Sequence, residues 1–165
     1  MPTRSIDQIF DLTKKALIAH GAAEWQSDEV AKATTHSESY GNVICGLQYV
    51  ESYCIQLASG RVDGRADPIV TKPRASAVLS DAQLGFAQPA FAKGLETACN
   101  VARETGIALY SVSNSHTCTS LGYFTEQIAT HGLIGLGFTN VIQELDIENY
   151  VMNTGSGIFS NKKIM

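Results

Sequence analysis

Apolar residues recur at three- and four-residue intervals in the first third of the chain, and short apolar runs appear only later, so helices are predicted first and strands afterwards. Ser5 and Gln8 form an S-x-x-Q capping box ahead of Ile6, Ile9, Phe10, Ala16 and Leu17, and Gly21 supplies a stop. A helix from about Ile6 to His20 follows. A second start is predicted at Ser27, with Asp28 and Glu29 at the positive end of the helix dipole, leading through Val30, Ala31 and Ala33 toward Gly41. Leu47, Val50, Tyr53, Cys54 and Leu57 predict a third helix ending at Ser59-Gly60.

The pattern changes at Gly60. Glycine, proline and charge dominate from Arg61 to Pro73, and the first strand-like runs are Ile69 to Thr71 and Ala77 to Asp81. Pro89 suits the first turn of a helix with the apolar stripe Phe91, Leu95, Ala98, Val101 and Ala102, which Gly106 ends. A strand is expected over Ile107 to Val112, a helix near Leu121 to His131 with Gly132 as its stop, and a continuous apolar strand from Leu133 to Phe138. Strands joined by helices predict right-handed βαβ crossovers. The fold class is therefore α/β: a helical lead-in over residues 1–60, βαβ units over 61–140, and a divergent tail over 141–165. That tail contains neither alanine nor proline and has no clean periodicity.

Composition narrows the function. The 165 residues are 44% hydrophobic and 17% charged, enough for one sizeable core. Twelve Lys and Arg against sixteen Asp and Glu give a net charge of −4 without a basic stripe, which argues against nucleic acid as a partner. The N-terminus lacks the apolar core of a secretory signal, and no apolar run approaches the roughly 20 residues that span a bilayer, so a cytoplasmic protein with no membrane partner is expected. The cysteines Cys45, Cys54, Cys99 and Cys118 are far apart, as expected of free thiols rather than a disulfide frame or zinc site, and no structural metal is predicted.

One stretch carries chemistry. Ser113-Asn114-Ser115-His116-Thr117-Cys118-Thr119-Ser120 lies between a predicted strand and a predicted helix. In an open α/β sheet this is where loop amides, hydroxyls and a helix N-terminus meet a ligand, and a pyrophosphate or carboxylate would suit it. A helix-capping arrangement is the alternative.

Here the sequence resembles the malate/L-lactate dehydrogenase type 2 family, also called sulfolactate dehydrogenase-like. The resemblance rests on Asn114-Ser115-His116, Leu121-Gly122-Tyr123-Phe124, Gly132-Leu133-Ile134-Gly135 and Phe138-Thr139-Asn140. Upstream it includes Tyr53, the run Ser59 to Pro68, Asp81, and Gly85-Phe86-Ala87-Gln88-Pro89-Ala90. It covers residues 5 to 140 in near-continuous register. It implies reduction of 2-oxoacids or cyclic imino acids with NADH or NADPH, a cofactor-binding fold distinct from the Rossmann type, a homodimer, and a chain longer than this one.

The resemblance also locates departures. Where the family reads Ser-His-Gly, with the histidine as acid and an Arg one turn later for the substrate carboxylate, this chain reads Ile44-Cys45-Gly46 and Tyr49. The usual place of the family's second histidine falls on Thr117, with His116 one position earlier. An imidazole of ordinary pKa about 6.5 suits proton transfer at neutral pH, so His116 is the first catalytic candidate and Cys45 the second. Tyr49 and Asn114 are substrate candidates; Thr117, Cys118, Thr119, Ser120, Leu121, Thr139 and Asn140 are cofactor-binding candidates. His20 and His131 are expected to serve helix ends, and His36 to be solvated or locally bonded. A second reading is a truncated, catalytically inactive remnant acting as a dimerisation or binding module, motivated by the change of composition after Asn140.

Overall fold

The structure is a computed structural model and describes residues 3–139. The expectations for Asn140 and for 141–165 lie outside the described residues. Contacts divide the chain into two compact units that meet at Ser120 and Leu121.

The first unit opens with three helices, α1 (Ile6–Ala19), α2 (Glu24–Ser39) and α3 (Leu47–Ala58). The capping box on α1 is formed, with Gln8 N–H donating to Ser5 Oγ at 3.2 Å and Ser5 N–H donating to Gln8 Oε1 at 3.1 Å. Helix α2 begins one turn before the predicted start at Ser27. Ser27 is buried inside the helix and its hydroxyl donates back to the Ala23 carbonyl at 2.9 Å, so it bonds as an interior serine and not as a cap. Glu24 and Asp28 instead hold Lys14 of α1 at 3.0 and 2.8 Å, tying the two helices together. A single 3₁₀ turn over Val43–Cys45, which the sequence reading lacked, leads into α3. Glu38 Oε1 accepts the Leu47 N–H at 2.6 Å and so supplies the cap that Gly46 cannot.

Leu17, Ala22, Val30, Val50, Tyr53, Cys54, Leu57, Val62 and Phe86 make the core beneath these helices. Phe86 comes from the α/β part, so the lead-in and the sheet share one interior.

The sheet has the order β1-β2-β3, with β1 (Ile69–Arg74) antiparallel to β2 (Ala77–Asp81) and β2 parallel to β3 (Leu109–Ser113). Pro73 cannot donate to a ladder, and the β1–β2 register shifts between Thr71 and Arg74, a position tolerated at a sheet edge. The crossover between β2 and β3 is α4 (Ala87–Thr105), which packs on the sheet through Val78, Ala98 and Val101. Pro89 stands in its first turn, and Gly106 ends it in the left-handed conformation at φ +83°. Strand β3 starts two residues later than predicted. The Thr105 hydroxyl donates to the Ile107 carbonyl at 2.7 Å, and Ile107 is 74% exposed. Two polar links fix helix to sheet: buried Ser80 Oγ donates to the Ala90 carbonyl at 2.6 Å, and Tyr110 Oη donates to the Phe91 carbonyl at 2.7 Å.

The second unit opens with α5 (Leu121–Thr130), stopped at Gly132 with φ +75°. The strand expected over Leu133 to Phe138 is not formed. A strand needs a ladder partner, and among the described residues this segment has none. The chain runs back against α5 instead, close enough that a Cβ on Gly135 would lie 3.1 Å from the Thr125 carbonyl oxygen. Ile134, Leu136 and Phe138 are left 88%, 59% and 72% exposed. A continuous apolar run alone does not separate a laddered strand from this arrangement.

Candidate active site

The site forms where the carboxyl ends of β2 and β3 open into loops. Three backbone bonds join those loops: Ala82 N–H to Ser113 O at 2.9 Å, Leu84 N–H to Asn114 O at 2.8 Å, and His116 N–H to Gly85 O at 2.8 Å. The 82–86 loop carries Gln83 and Leu84 at φ +53° and +64°, and Gly85 follows where a side chain has no room. A Cβ there would lie 2.9 Å from the Ala82 carbonyl oxygen and 3.2 Å from that of Asp63. Asn114, at φ +49°, uses a conformation that asparagine tolerates, and its amide donates to Asp81 Oδ1 at 3.1 Å. The Asp81 carboxyl is held below its usual range by the Gln83 N–H first and then by Asn114.

His116 sits above this junction, half-buried. Its ring packs edge-on against Tyr53 of α3 at a centroid distance of 5.8 Å and against Phe86 at 6.4 Å. Among the described residues its buried Nε2 has no hydrogen-bond partner, an arrangement that costs about 1–3 kcal/mol until a polar atom meets it. Burial, and secondly the positive charge of Arg61, push the imidazole below its ordinary pKa, so it is neutral at pH 7.

Beneath the loop lies a buried polar set. Gln88, in the first turn of α4 and 1% exposed, donates through Nε2 to Tyr53 Oη at 3.0 Å and to the Cys118 carbonyl at 3.3 Å. Tyr53 Oη reaches Thr119 Oγ1 in a long contact of 3.4 Å, and Thr119 Oγ1 donates to the Cys118 carbonyl at 2.7 Å. Burial pushes the Tyr53 phenol up, so it is un-ionised and a donor. Thr119 is a β-branched residue at φ +56°, a strained conformation that persists only where its surroundings hold it.

The structure thus gathers His116, Thr117, Cys118 and Thr119 around Tyr53, and Tyr49 joins them through its edge contact with Tyr53 at 5.0 Å. Thr117 Oγ1 accepts the Thr119 N–H at 3.3 Å, so it braces the loop from within. Ser120 is half-buried at the loop's end. Cys45 lies half-buried in the 3₁₀ turn. Leu121 opens α5 in the second unit, where Thr139 is exposed.

Sequence reasoning did not place Gln88, Arg61 or Tyr53 among the candidate site residues. The signal for Gln88 was a lone amide among Phe86, Ala87, Pro89, Ala90 and Phe91, all of them buried. His20 and His131 do serve helix ends, each placing Nδ1 on the carbonyl four residues earlier, at 2.7 and 2.8 Å. Among the described residues no group of His, Cys, Asp or Glu is placed to hold a metal ion, and no helix is long and apolar enough to cross a membrane. An open depression of about 400 Å³ between Trp25, Glu29, Asp67, Ala92 and Lys93 lies apart from these residues. Its lysine already pairs with Asp67, and it presents no candidate catalytic group.

A helical layer against a small mixed sheet, with a histidine on the loop after a parallel strand, defines a protein of the α/β class. The comparison with known proteins is more specific. The chain belongs to the malate/L-lactate dehydrogenase family, whose model matches residues 5–155. It is 33% identical over 141 residues to a Δ¹-pyrroline-2-carboxylate/Δ¹-piperideine-2-carboxylate reductase of Pseudomonas syringae pv. tomato, a match covering 84% of this chain and 41% of that one. It is 32% identical over 136 residues to a (2R)-3-sulfolactate dehydrogenase (NADP(+)) of Chromohalobacter salexigens, covering 82% and 40%. The crystal structure of the P. syringae Δ¹-piperideine-2-carboxylate reductase superposes with a TM-score of 0.76 at 32% identity, covering 80% of this chain and 40% of that one. The chain therefore spans about 40% of the length of the relatives it matches.

Proposed function

We propose that this chain carries part of the active site of a nicotinamide-dependent reductase acting on a C=N or C=O bond beside a carboxylate, in a cyclic imino acid or a 2-oxoacid. The observation that carries the reading is His116, a neutral imidazole with a buried, unpartnered Nε2 at the carboxyl end of a parallel strand. The activities named for the relatives agree with it.

Between the two substrate classes, the lowered basicity of His116 favours the cyclic imine. Reduction of a ketone leaves an alkoxide that must gain a proton, and a depressed imidazole pKa leaves little imidazolium to supply it at neutral pH. A cyclic imine reacts as its iminium, already protonated on nitrogen. Neutral His116 Nε2 then accepts a hydrogen bond from that N–H and orients the C=N carbon. Tyr49 and Asn114 are the residues proposed to meet the carboxylate end.

A reduced nicotinamide, when bound, supplies the hydride. The Thr117 to Leu121 segment, Thr139 and Asn140 are the residues proposed to hold it, as NADH or NADPH, through hydroxyls, amide and backbone N–H groups. The orphaned Nε2 and the strained Thr119 fit a loop that receives a ligand. Cys45 remains an alternative donor for the ketone substrates. Homodimerisation and a cytoplasmic location complete the proposal.

The test is a panel of cyclic imino acids and 2-oxoacids scored by loss of reduced-nicotinamide absorbance, with His116→Ala alongside. Turnover on cyclic imines that His116→Ala abolishes supports the reading. Turnover unchanged by His116→Ala removes the histidine from the chemistry, and no turnover on either class in a full-length relative with the same loop removes the reductase. A non-catalytic dimerisation module is favoured only by the exposed Ile134, Leu136 and Phe138; light scattering of the purified protein tests it.

A further inference from the structure

We infer that Gln88 is a positioning residue that, through Tyr53 Oη and the Cys118 carbonyl, holds the Thr117–Thr119 segment in its strained shape and thereby sets where His116 stands. The inference rests on the reading of His116 as the reacting-site histidine, but its evidence is independent of substrate.

Gln88 is 1% exposed, and its one amide nitrogen serves two acceptors on two different elements, Tyr53 on α3 and Cys118 on the loop. It stands in the first turn of α4, two residues after Phe86, whose ring contacts His116. A side chain rooted in a 19-residue helix is a rigid anchor compared with the loop it reaches. The loop needs one. Thr119 sits at φ +56°, which costs about 1–3 kcal/mol for such a residue and is retained only under constraint. Its hydroxyl and the Cys118 carbonyl are both gripped by the Gln88–Tyr53 pair, directly or through one bond. His116 meets the same phenol ring at 5.8 Å, so a shift of Tyr53 or of Cys118 moves the imidazole on either side. The Gln88 amide, placed where a packing residue would otherwise be apolar, is thus explained by the loop above it. Its buried Oε1 has no hydrogen-bond partner among the described residues, a cost that packing alone would not justify.

The experiment replaces Gln88 with Met, which keeps the length and removes both donors, and follows the purified protein without substrate or cofactor. Amide exchange at residues 115–119 is expected to rise about tenfold relative to α4, the effect of losing one ordinary hydrogen bond. The His116 imidazole resonances are expected to titrate at a higher pH than in the parent as the ring gains water. Tyr53→Phe, which removes only the hydroxyl, is expected to move both readouts in the same direction by less, and it stands in if Gln88→Met does not fold. Faster exchange spread evenly over the protein, with His116 titrating as before, would mean that Gln88 only packs and would overturn the inference. Loss of the reductase reading in activity assays would leave these readouts untouched, so the two failures are distinguishable.

Discussion

Replacing Gly85 with Ala places one methyl group at the point where the two strand-end loops cross. The added Cβ would lie 2.9 Å from both the Ala66 Cβ and the Ala82 carbonyl oxygen, and 3.2 Å from the Asp63 carbonyl oxygen. Two of those neighbours are backbone atoms in bonded turns. The Ala82 carbonyl accepts the Gly85 N–H at 2.8 Å and the Asp63 carbonyl accepts the Ala66 N–H at 3.3 Å. Neither moves away without breaking its bond, so the cost falls in the upper part of the overpacking range, about 2–3 kcal/mol. For a chain of this size that is a fall in melting temperature of about 4–12 °C. Because the Gly85 carbonyl accepts the His116 N–H, the same shift should appear as altered amide resonances from Asn114 to Thr117. Gly106→Ala is the control: it has open space around it and only its φ of +83° to oppose a side chain, worth about 1–2 kcal/mol. Urea unfolding followed by circular dichroism measures both variants. A Gly85→Ala protein that unfolds at the parent's urea concentration, or with less loss than Gly106→Ala, would refute the steric reasoning.

Three further outcomes follow from particular contacts. The depressed His116 pKa means that the unfolded chain binds a proton at higher pH than the folded one, so stability is full above about pH 6.5 and declines as pH falls below it. His116→Gln should flatten that slope in melts between pH 7 and 5, a window above the one in which Asp81 titrates, and an unchanged slope would remove His116 as its source. Ser80→Ala removes the buried hydroxyl that bonds the Ala90 carbonyl and should cost about 1 kcal/mol in urea titration; a neutral effect would mean that this bond adds nothing to the seating of α4. Ser5→Ala should cost a similar ~1 kcal/mol through loss of the capping box, with amide exchange rising only in the first turn of α1.

Much of the fold was legible where local chemistry and tertiary packing agree. The Ser5–Gln8 box, the Gly106 stop and the stripe on α4 each state their structure in a few adjacent residues. The start of α2 was misplaced because a serine followed by two acids satisfies the rules for a cap, whereas a buried Ser27 bonding its own helix satisfies the packing with α1. The segment from Leu133 to Phe138 has the composition of a strand, and composition says nothing about whether a partner lies beside it.

The site was legible to a lesser degree. His116 and its hydroxyl neighbours stood out as a polar loop between two periodic segments, and the structure gathers most of them. Gln88, Tyr53 and Arg61 belong to other elements, and their convergence on the loop is a product of the crossover, invisible in any window of the chain. Resemblance placed Cys45 and Tyr49 at equivalent stations on the chain. Packing brings Tyr49 to the cluster through Tyr53, and Cys45 stands half-buried in the 3₁₀ turn ahead of α3.

The role of His116 as the reacting-site histidine is tested most directly by imidazole-detected NMR on the purified protein during titration with a cyclic imino acid, first alone and then with oxidised nicotinamide cofactor present. A saturable change in the His116 Nε2 resonance, strengthened by the cofactor and absent when acetate replaces the imino acid, is the expected result. Saturable binding that leaves the His116 ring unperturbed while shifting resonances elsewhere would contradict it.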